Sequence, residues 1–418
     1  MPVERAILVG VSLPQMPHHQ VEEYLDELAA LVESAGGEVC QRMVQGRDRL
    51  DAATYIGKGK AEELAGLCKA EKIGLAVFDD ELSPAQVRNL EKILEVRVCD
   101  RTAVILDIFA RRARTREART QVELAQYTYL LPRLTRAWSH LSRQAGGIGT
   151  RGVGETQLET DRRVIRKRIA LLTEQLRHIA AAREVQARRR RDAFEVALVG
   201  YTNAGKSSLM NRLTAAKAKV EDRLFATLDT TFRKLSMEGL AQEVIVIDTV
   251  GFVRKLPHHL VASFRSTLEQ VAEADLLLHV VDASHPSFEE QASTTRQLLT
   301  ELSMGEIPSI TVLNQVDRAP EGLLARAEGL FPEHVSVSAV TGQGLDRLRA
   351  SIAAAARRQA KGHTMEIPYE RWPDFLAFRP RLRVLREVYG ERAVRVVVRG
   401  KQADIEEISA ELGLGEFP

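Results

Sequence analysis

The chain has 418 residues, 44% of them apolar and 28% charged, and a formal net charge of +2. This length exceeds what one core can organise and predicts two to four globular domains, while the lack of any apolar run near the roughly 20 residues of a membrane span excludes stable membrane insertion. Met1–Gly10 lacks the pattern of a secretory leader, so the protein is expected in the cytoplasm, and Cys40, Cys68 and Cys99, without metal-ligand spacing, read as reduced thiols.

Residues 1–110 alternate strand-like and helix-like segments: Ala6–Val11, Val21–Ser34, Val39–Val44, Lys60–Ala70, Gly74–Phe78, Pro84–Leu94 and Val96–Cys99. That alternation predicts a parallel α/β domain. Within it, Tyr55–Lys60 is a Gly-Lys turn entering a helix, a weak phosphate-binding signal that also fits a structural turn. Residues 111–192 form the second expected unit. Thr102–Tyr129 and Val164–Gln186 carry apolar residues at helical spacing and predict a long antiparallel helical hairpin. Between them, Gly146–Gln157 is rich in glycine and flanked by arginine, which favours gripping by a partner over packing on its own. Arginine collects from Arg111 to Arg191, a density that points to a phosphate-rich partner such as RNA, with Trp138 and His140 able to stack on bases.

A third unit, 193–360, opens with the apolar run Phe194–Val199 and continues as Gly200-Tyr201-Thr202-Asn203-Ala204-Gly205-Lys206-Ser207. A glycine-rich loop between a strand and a helix brings successive backbone N–H groups and the positive helix end to one phosphate. Lys206 is expected to reach the β and γ phosphates, and the Ser207 hydroxyl to ligate Mg²⁺. Downstream, Asp248-Thr249-Val250-Gly251 ends a strand-like run, placing a carboxylate near the metal and the Gly251 N–H near the γ phosphate. Asn314-Gln315-Val316-Asp317 ends another; Asp317 is placed to accept from guanine N1–H and N2–H₂ together, which adenine does not offer. Ser338-Ala339 would turn a backbone N–H to guanine O6. The order of these segments identifies a GTPase with GTP and GDP as substrate and product. Residues 361–418 read as a small C-terminal α/β domain with Ala393–Val398 as its clearest strand. The fold class is thus α/β and multidomain, with a Ras-like P-loop GTPase domain at its centre.

Gly146–Gln157, running on into Leu158-Glu159-Thr160-Asp161-Arg162-Arg163, and Phe225-Ala226-Thr227-Leu228-Asp229 in the first switch resemble the HflX family of translational GTPases over essentially the whole chain. The resemblance implies binding to the large ribosomal subunit and its rRNA, splitting of stalled or idle ribosomes, and a glycine loop reaching towards the peptidyl transferase centre. It implies hydrolysis stimulated by the ribosome, and selects Thr227 as a second Mg²⁺ ligand where the residues alone leave Thr227, Thr230 and Thr231 open. The expected catalytic set is Lys206, Thr227 and Gly251; the expected nucleotide contacts add Ser208 and Phe225–Asp229 to the segments above. A GTP-gated RNA or subunit-assembly factor would use the same site, and the chain is expected to act as a monomer. Family members are also credited with binding adenine nucleotides through the N-terminal domain, for which only the Tyr55–Lys60 turn speaks here.

Two positions depart from the usual GTPase pattern. Phe252 stands where a water-orienting Gln is common, and a phenyl ring cannot hydrogen-bond water. Gln315 replaces the usual Lys, so the cation is lost and weaker nucleotide affinity is expected with guanine preference kept. Asn203 offers an amide oxygen suited to K⁺ beside the phosphates, or a side chain that merely tightens the loop.

Overall fold

The computed structural model describes residues 3–134, 157–189, 193–214, 224–238, 240, 242–255, 257, 260, 271–360, 362–379, 382–399 and 402–414. Residues 146–156 of the expected glycine loop, with Trp138 and His140, lie outside these residues.

Near the N-terminus, strands β1 (Arg5–Ser12), β2 (Glu38–Gly46), β3 (Leu75–Phe78) and β4 (Arg97–Asp100) form an all-parallel sheet in the order β2-β1-β3-β4. Side chains alternate along β1 into two cores. Ala6 and Leu8 pack with helices α1 (His18–Ser34) and α4 (Arg101–Arg112), while Ile7 and Val9 pack with α2 (Lys58–Glu71) and α3 (Pro84–Leu94). Burial on both faces explains why β1 and β3 read as unbroken apolar runs. The Gly-Lys turn is held by its own partners: Gln45 Oε1 accepts from Gly57 N at 2.9 Å, and Asp51 and Tyr55 exchange backbone hydrogen bonds.

The single helical run expected over Thr102–Tyr129 is two helices. α4 ends at Arg112, and α5 (Arg116–Leu130) restarts after an extended Thr115, whose hydroxyl accepts from Ala118 N. A Thr in the β region at this place is an N-cap, and periodicity alone did not register it. α6 (Gln157–Arg189) packs along α5, with Arg168 paired to Glu123 at 2.6 Å.

The central six-stranded sheet has the order β10-β9-β8-β5-β7-β6, built from β5 (Phe194–Gly200), β6 (Thr231–Leu235), β7 (Val244–Asp248), β8 (Leu276–Asp282), β9 (Ser309–Asn314) and β10 (His334–Ser336). Only β6 runs antiparallel. In a sheet of this kind, ligands gather outside the carboxyl ends of the strands where the order reverses. Those ends carry the loops after β5, β7, β8 and β9. The last unit is an antiparallel sheet β11-β13-β12, formed by β11 (His363–Pro368), β12 (Arg383–Tyr389) and β13 (Ala393–Arg399), with Phe375, Ile405 and Ile408 packed on its Val394, Val396 and Val398. Strand β12 was not read from the sequence because its arginines interrupt the apolar alternation. Among the described residues, no helix is long and apolar enough to cross a membrane.

Candidate nucleotide site

A cleft of about 270 Å³ opens at the carboxyl end of the central sheet. Of the residues expected to meet a nucleotide, Asn203, Gly205, Lys206, Ser207, Ser208, Phe225, Ala226, Thr227, Thr249, Gly251, Asn314, Gln315, Asp317 and Ala339 line it. Gly200, Ala204, Leu228, Asp229, Asp248, Val250, Val316 and Ser338 do not. Thr202, Arg318 and Val340 line it as well; sequence reasoning passed over them because Thr202 occupies a free position of the phosphate loop and Arg318 and Val340 fall just past their motifs.

At the phosphate end, Gly205 has φ +86°, and an added Cβ would lie 2.3 Å from Asn314 Nδ2, so only glycine serves. Helix α7 (Lys206–Leu213) starts immediately after it. Lys206 is 6% exposed, and its ammonium donates to Gly200 O at 3.0 Å and Tyr201 O at 2.7 Å. Burial lowers its pKa to about 8, with Asp248 pulling the other way. Three oxygens converge beside it. Ser207 Oγ donates to Asp248 Oδ2 at 2.6 Å, Thr227 Oγ1 reaches the same oxygen at 3.1 Å, and the two hydroxyls are 2.7 Å apart. Asp248 is 3% exposed, burial raises its pKa, and its Oδ1 is buried without a hydrogen-bond partner. Two hydroxyls and a carboxylate, with one orphaned carboxylate oxygen, form a hard-oxygen donor set suited to a cation such as Mg²⁺. Among the described residues, no cluster of three His, Cys, Asp or Glu offers an alternative.

The segment after Gly251 is zipped to the phosphate loop: Phe252 N donates to Gly200 O at 3.1 Å, and Thr202 N to Phe252 O at 2.6 Å. The Phe252 ring is buried in the apolar core with Tyr201 and Val253. A residue with no polar group to offer the site has gone into the core.

At the guanine end, Asn314 is 1% exposed and works as a brace. Its Nδ2 donates to Ala204 O at 2.9 Å, and its Oδ1 accepts from Ala339 N at 3.2 Å. Ser338 serves its own loop, its Oγ accepting from Thr341 N and its N–H donating to Gln343 O. Asp317 is exposed at the rim, and Val340 beside it is 76% exposed. Gln315 donates through Nε2 to Asn203 O at 3.2 Å and to Asp282 Oδ2 at 2.9 Å, so its amide ties the phosphate loop to the end of β8.

Three models of GTPase regions match consecutive stretches: a GTP-binding GTPase N-terminal region over 22–110, a GTP-binding GTPase middle region over 112–190, and a 50S ribosome-binding GTPase over 195–315. The chain is 49% identical over 333 residues to the GTPase HflX of Flavobacterium psychrophilum, covering 80% of each. It is 44% identical to that of Escherichia coli over 369 residues, 87% of this chain and 86% of the relative. The chain belongs to the HflX family of GTPases. Like them, this HflX-family protein binds guanine nucleotides and hydrolyses GTP. Among solved structures, it is similar to SsGBP in complex with GDP, with a TM-score of 0.48 and 25% identity over 85% of this chain and 99% of that one.

Sequence reasoning also missed how the N-terminal sheet grips this cleft. Glu27 of α1 accepts from Arg101, from the Tyr201 hydroxyl and from Arg254 Nε at 3.3 Å. Arg254, three residues past Gly251, also reaches Glu290 at 3.0 Å and lies over the Tyr24 ring at 4.3 Å. Lys255 bridges Asp79 and Asp80, each at 2.5 Å. The only sequence signal was the pair Arg254-Lys255 following an apolar Phe252-Val253.

Proposed function

We propose that this GTPase engages the large ribosomal subunit in its GTP-bound form, splits or rescues ribosomes, and leaves after hydrolysis that the ribosome stimulates. The observation that carries the site reading is the convergence of Ser207, Thr227 and the half-satisfied Asp248 beside Lys206. Ser207 and Thr227 would hold Mg²⁺, which when bound neutralises charge on the β and γ phosphates. Lys206 exchanges its two loop carbonyls for phosphate oxygens. The Gly251 N–H meets the γ phosphate, and glycine is required there because an added Cβ would sit 2.6 Å from Thr202 Cα and 2.9 Å from Lys206 Nζ. Asp317 reads the guanine edge, and the Ala339 N–H would exchange Asn314 Oδ1 for guanine O6. With Phe252 withdrawn into the core, orienting the attacking water falls to backbone groups, another residue or the ribosome.

The match of 195–315 to a 50S ribosome-binding GTPase and the arginine-rich 111–191 segment support the ribosome as partner. The units 1–110, 111–192, 193–360 and 361–418 would then act as one monomer in the cytoplasm, with 146–157 as the probe of the subunit. Sedimentation with a non-hydrolysable GTP analogue tests this. Mature large subunits should carry the protein and intact ribosomes should separate, and binding should weaken steeply as salt rises. Co-sedimentation with precursor particles alone would make it an assembly factor instead. Deleting Gly146–Gly154 should abolish splitting and spare GDP affinity; normal splitting would reduce the loop to a connector.

A further inference from the structure

The first switch is fastened to the start of helix α5. Asp229 Oδ2 accepts from Arg114 N at 2.9 Å, and its Oδ1 accepts from Thr115 N at 3.3 Å and from the Thr115 hydroxyl. That hydroxyl is also the cap of α5, accepting from Ala118 N at 3.1 Å. Four residues earlier, Phe225 is buried with φ +55°, a conformation a bulky side chain adopts only when its surroundings hold it there. Phe109 of α4 supplies that hold, edge to face at 4.8 Å and 86°, and Thr202 Oγ1 accepts from Phe225 N at 2.8 Å. Thr227 lies between these two anchors, with its hydroxyl on Asp248.

We infer that Asp229 and Thr115 are positioning residues for the metal end of the site: the break between α4 and α5 holds one end of the first switch, Phe109 of α4 holds the other, and together they deliver the Thr227 hydroxyl to Ser207 and Asp248. This rests on Thr227 being a metal ligand. The anionic Asp229 is not spent on nucleotide but on two backbone N–H groups and one hydroxyl, a carboxylate nest of the kind that holds a loop rigidly. The α4–α5 junction, by the same bonds, is tied to the segment that carries Thr227.

Hydrogen exchange in the full-length, nucleotide-free protein tests the clamp. Backbone amides of 224–230 should exchange at least about tenfold faster in Asp229→Ala and in Thr115→Ala, while Thr115→Ser, which keeps the hydroxyl, matches the parent. Asp229→Ala leaves the α5 cap in place, so it separates the clamp from helix stability. In the same variants, the Mg²⁺ concentration giving half-maximal GTP turnover should rise by roughly threefold or more, with GDP affinity within about twofold of the parent. Unchanged exchange in Asp229→Ala overturns the clamp; faster exchange with an unmoved Mg²⁺ requirement overturns its positioning role. Thr227→Ala reports separately on the metal reading, because an unmoved Mg²⁺ requirement there refutes the ligand assignment while the exchange rates of Asp229→Ala still decide the clamp.

Discussion

The two ends of the nucleotide cleft are built on different principles. At the phosphate end, Lys206 and Asp248 are almost fully buried, and the first-switch segment that brings Thr227 to Asp248 is itself held by Phe109 of α4 and by Arg114 just before α5. At the guanine end, Asp317 and Val340 are exposed, and the framing residues come from the ends of β9 and β10 and the loops that follow them. The base end is therefore built within the central sheet, and it meets the phosphate loop through Asn314 and Gln315 while the exposed Asp317 stands apart from that brace. The elements around the phosphate end are instead in contact with the N-terminal half of the chain, through Glu27 on Tyr201, Phe109 on Phe225 and Thr115 on Asp229. A rearrangement of the phosphate end would reach the arginine-rich hairpin directly; one at the base end would reach it only by way of the phosphate loop.

The largest expected effect breaks the base end alone. Asp317→Ala removes the bidentate acceptor and leaves two guanine donors unpaired, which costs about 2–3 kcal/mol. GTP and GDP should bind at least about tenfold more weakly by calorimetry, with the thermal unfolding profile retained. Unchanged GDP affinity would sink the guanine assignment.

The next concerns the phosphate end and its buried lysine. Burial has lowered the Lys206 pKa to about 8, whereas phosphate oxygens favour the ammonium. The nucleotide-free protein then loses this proton as pH rises through about 8, and binding must take it up again. GDP affinity should be flat in Lys206 protonation below that pH and fall by up to about tenfold per unit above it. The comparison predicts the same slope in Asp317→Ala, whose affinity is lower throughout. A slope that vanishes with Asp317 would mean that the two ends are coupled.

Much of this was legible in the sequence, and the rest was not for identifiable reasons. The strands of the N-terminal sheet, and β5, β7 and β9 of the central sheet, were legible, most clearly where burial on both faces makes them apolar throughout, as in Phe194–Val199; β6 and β8 were not read. The nucleotide motifs were readable because each sits at a strand end, where backbone geometry constrains the residue type. What stayed hidden was long-range pairing. Nothing around Glu27 or Asp229 marks either as the partner of residues 227 and 115 positions away, respectively, in Arg254 and Arg114. Gln315 was read as the loss of a cation; the structure gives its amide two acceptors, on Asn203 and Asp282, so the neutral side chain still braces the loop.

The smallest expected effect concerns the junction of the two ends, at Asn203. Its φ of +64° lies in the left-handed region, where Asn is favoured among residues with a side chain, and its carbonyl accepts from Gln315. The hydrogen bond of Asn203 to Gln315 runs through its backbone carbonyl, which weakens the idea that the amide tightens the loop and leaves two explanations. Asn is present for its backbone conformation, or its amide oxygen faces the phosphates to hold a monovalent cation that neutralises charge forming between the β and γ phosphates. Asn203→Gly distinguishes them, since glycine keeps the left-handed backbone and removes the amide. If K⁺ is held there, GTP turnover in the parent should be about three- to tenfold faster in KCl than in NaCl at equal ionic strength, and Asn203→Gly should erase the difference with GDP affinity nearly intact. Equal rates in the two salts, both free and on the ribosome, would assign Asn203 to loop geometry and leave the neutralising charge to rRNA or a ribosomal protein.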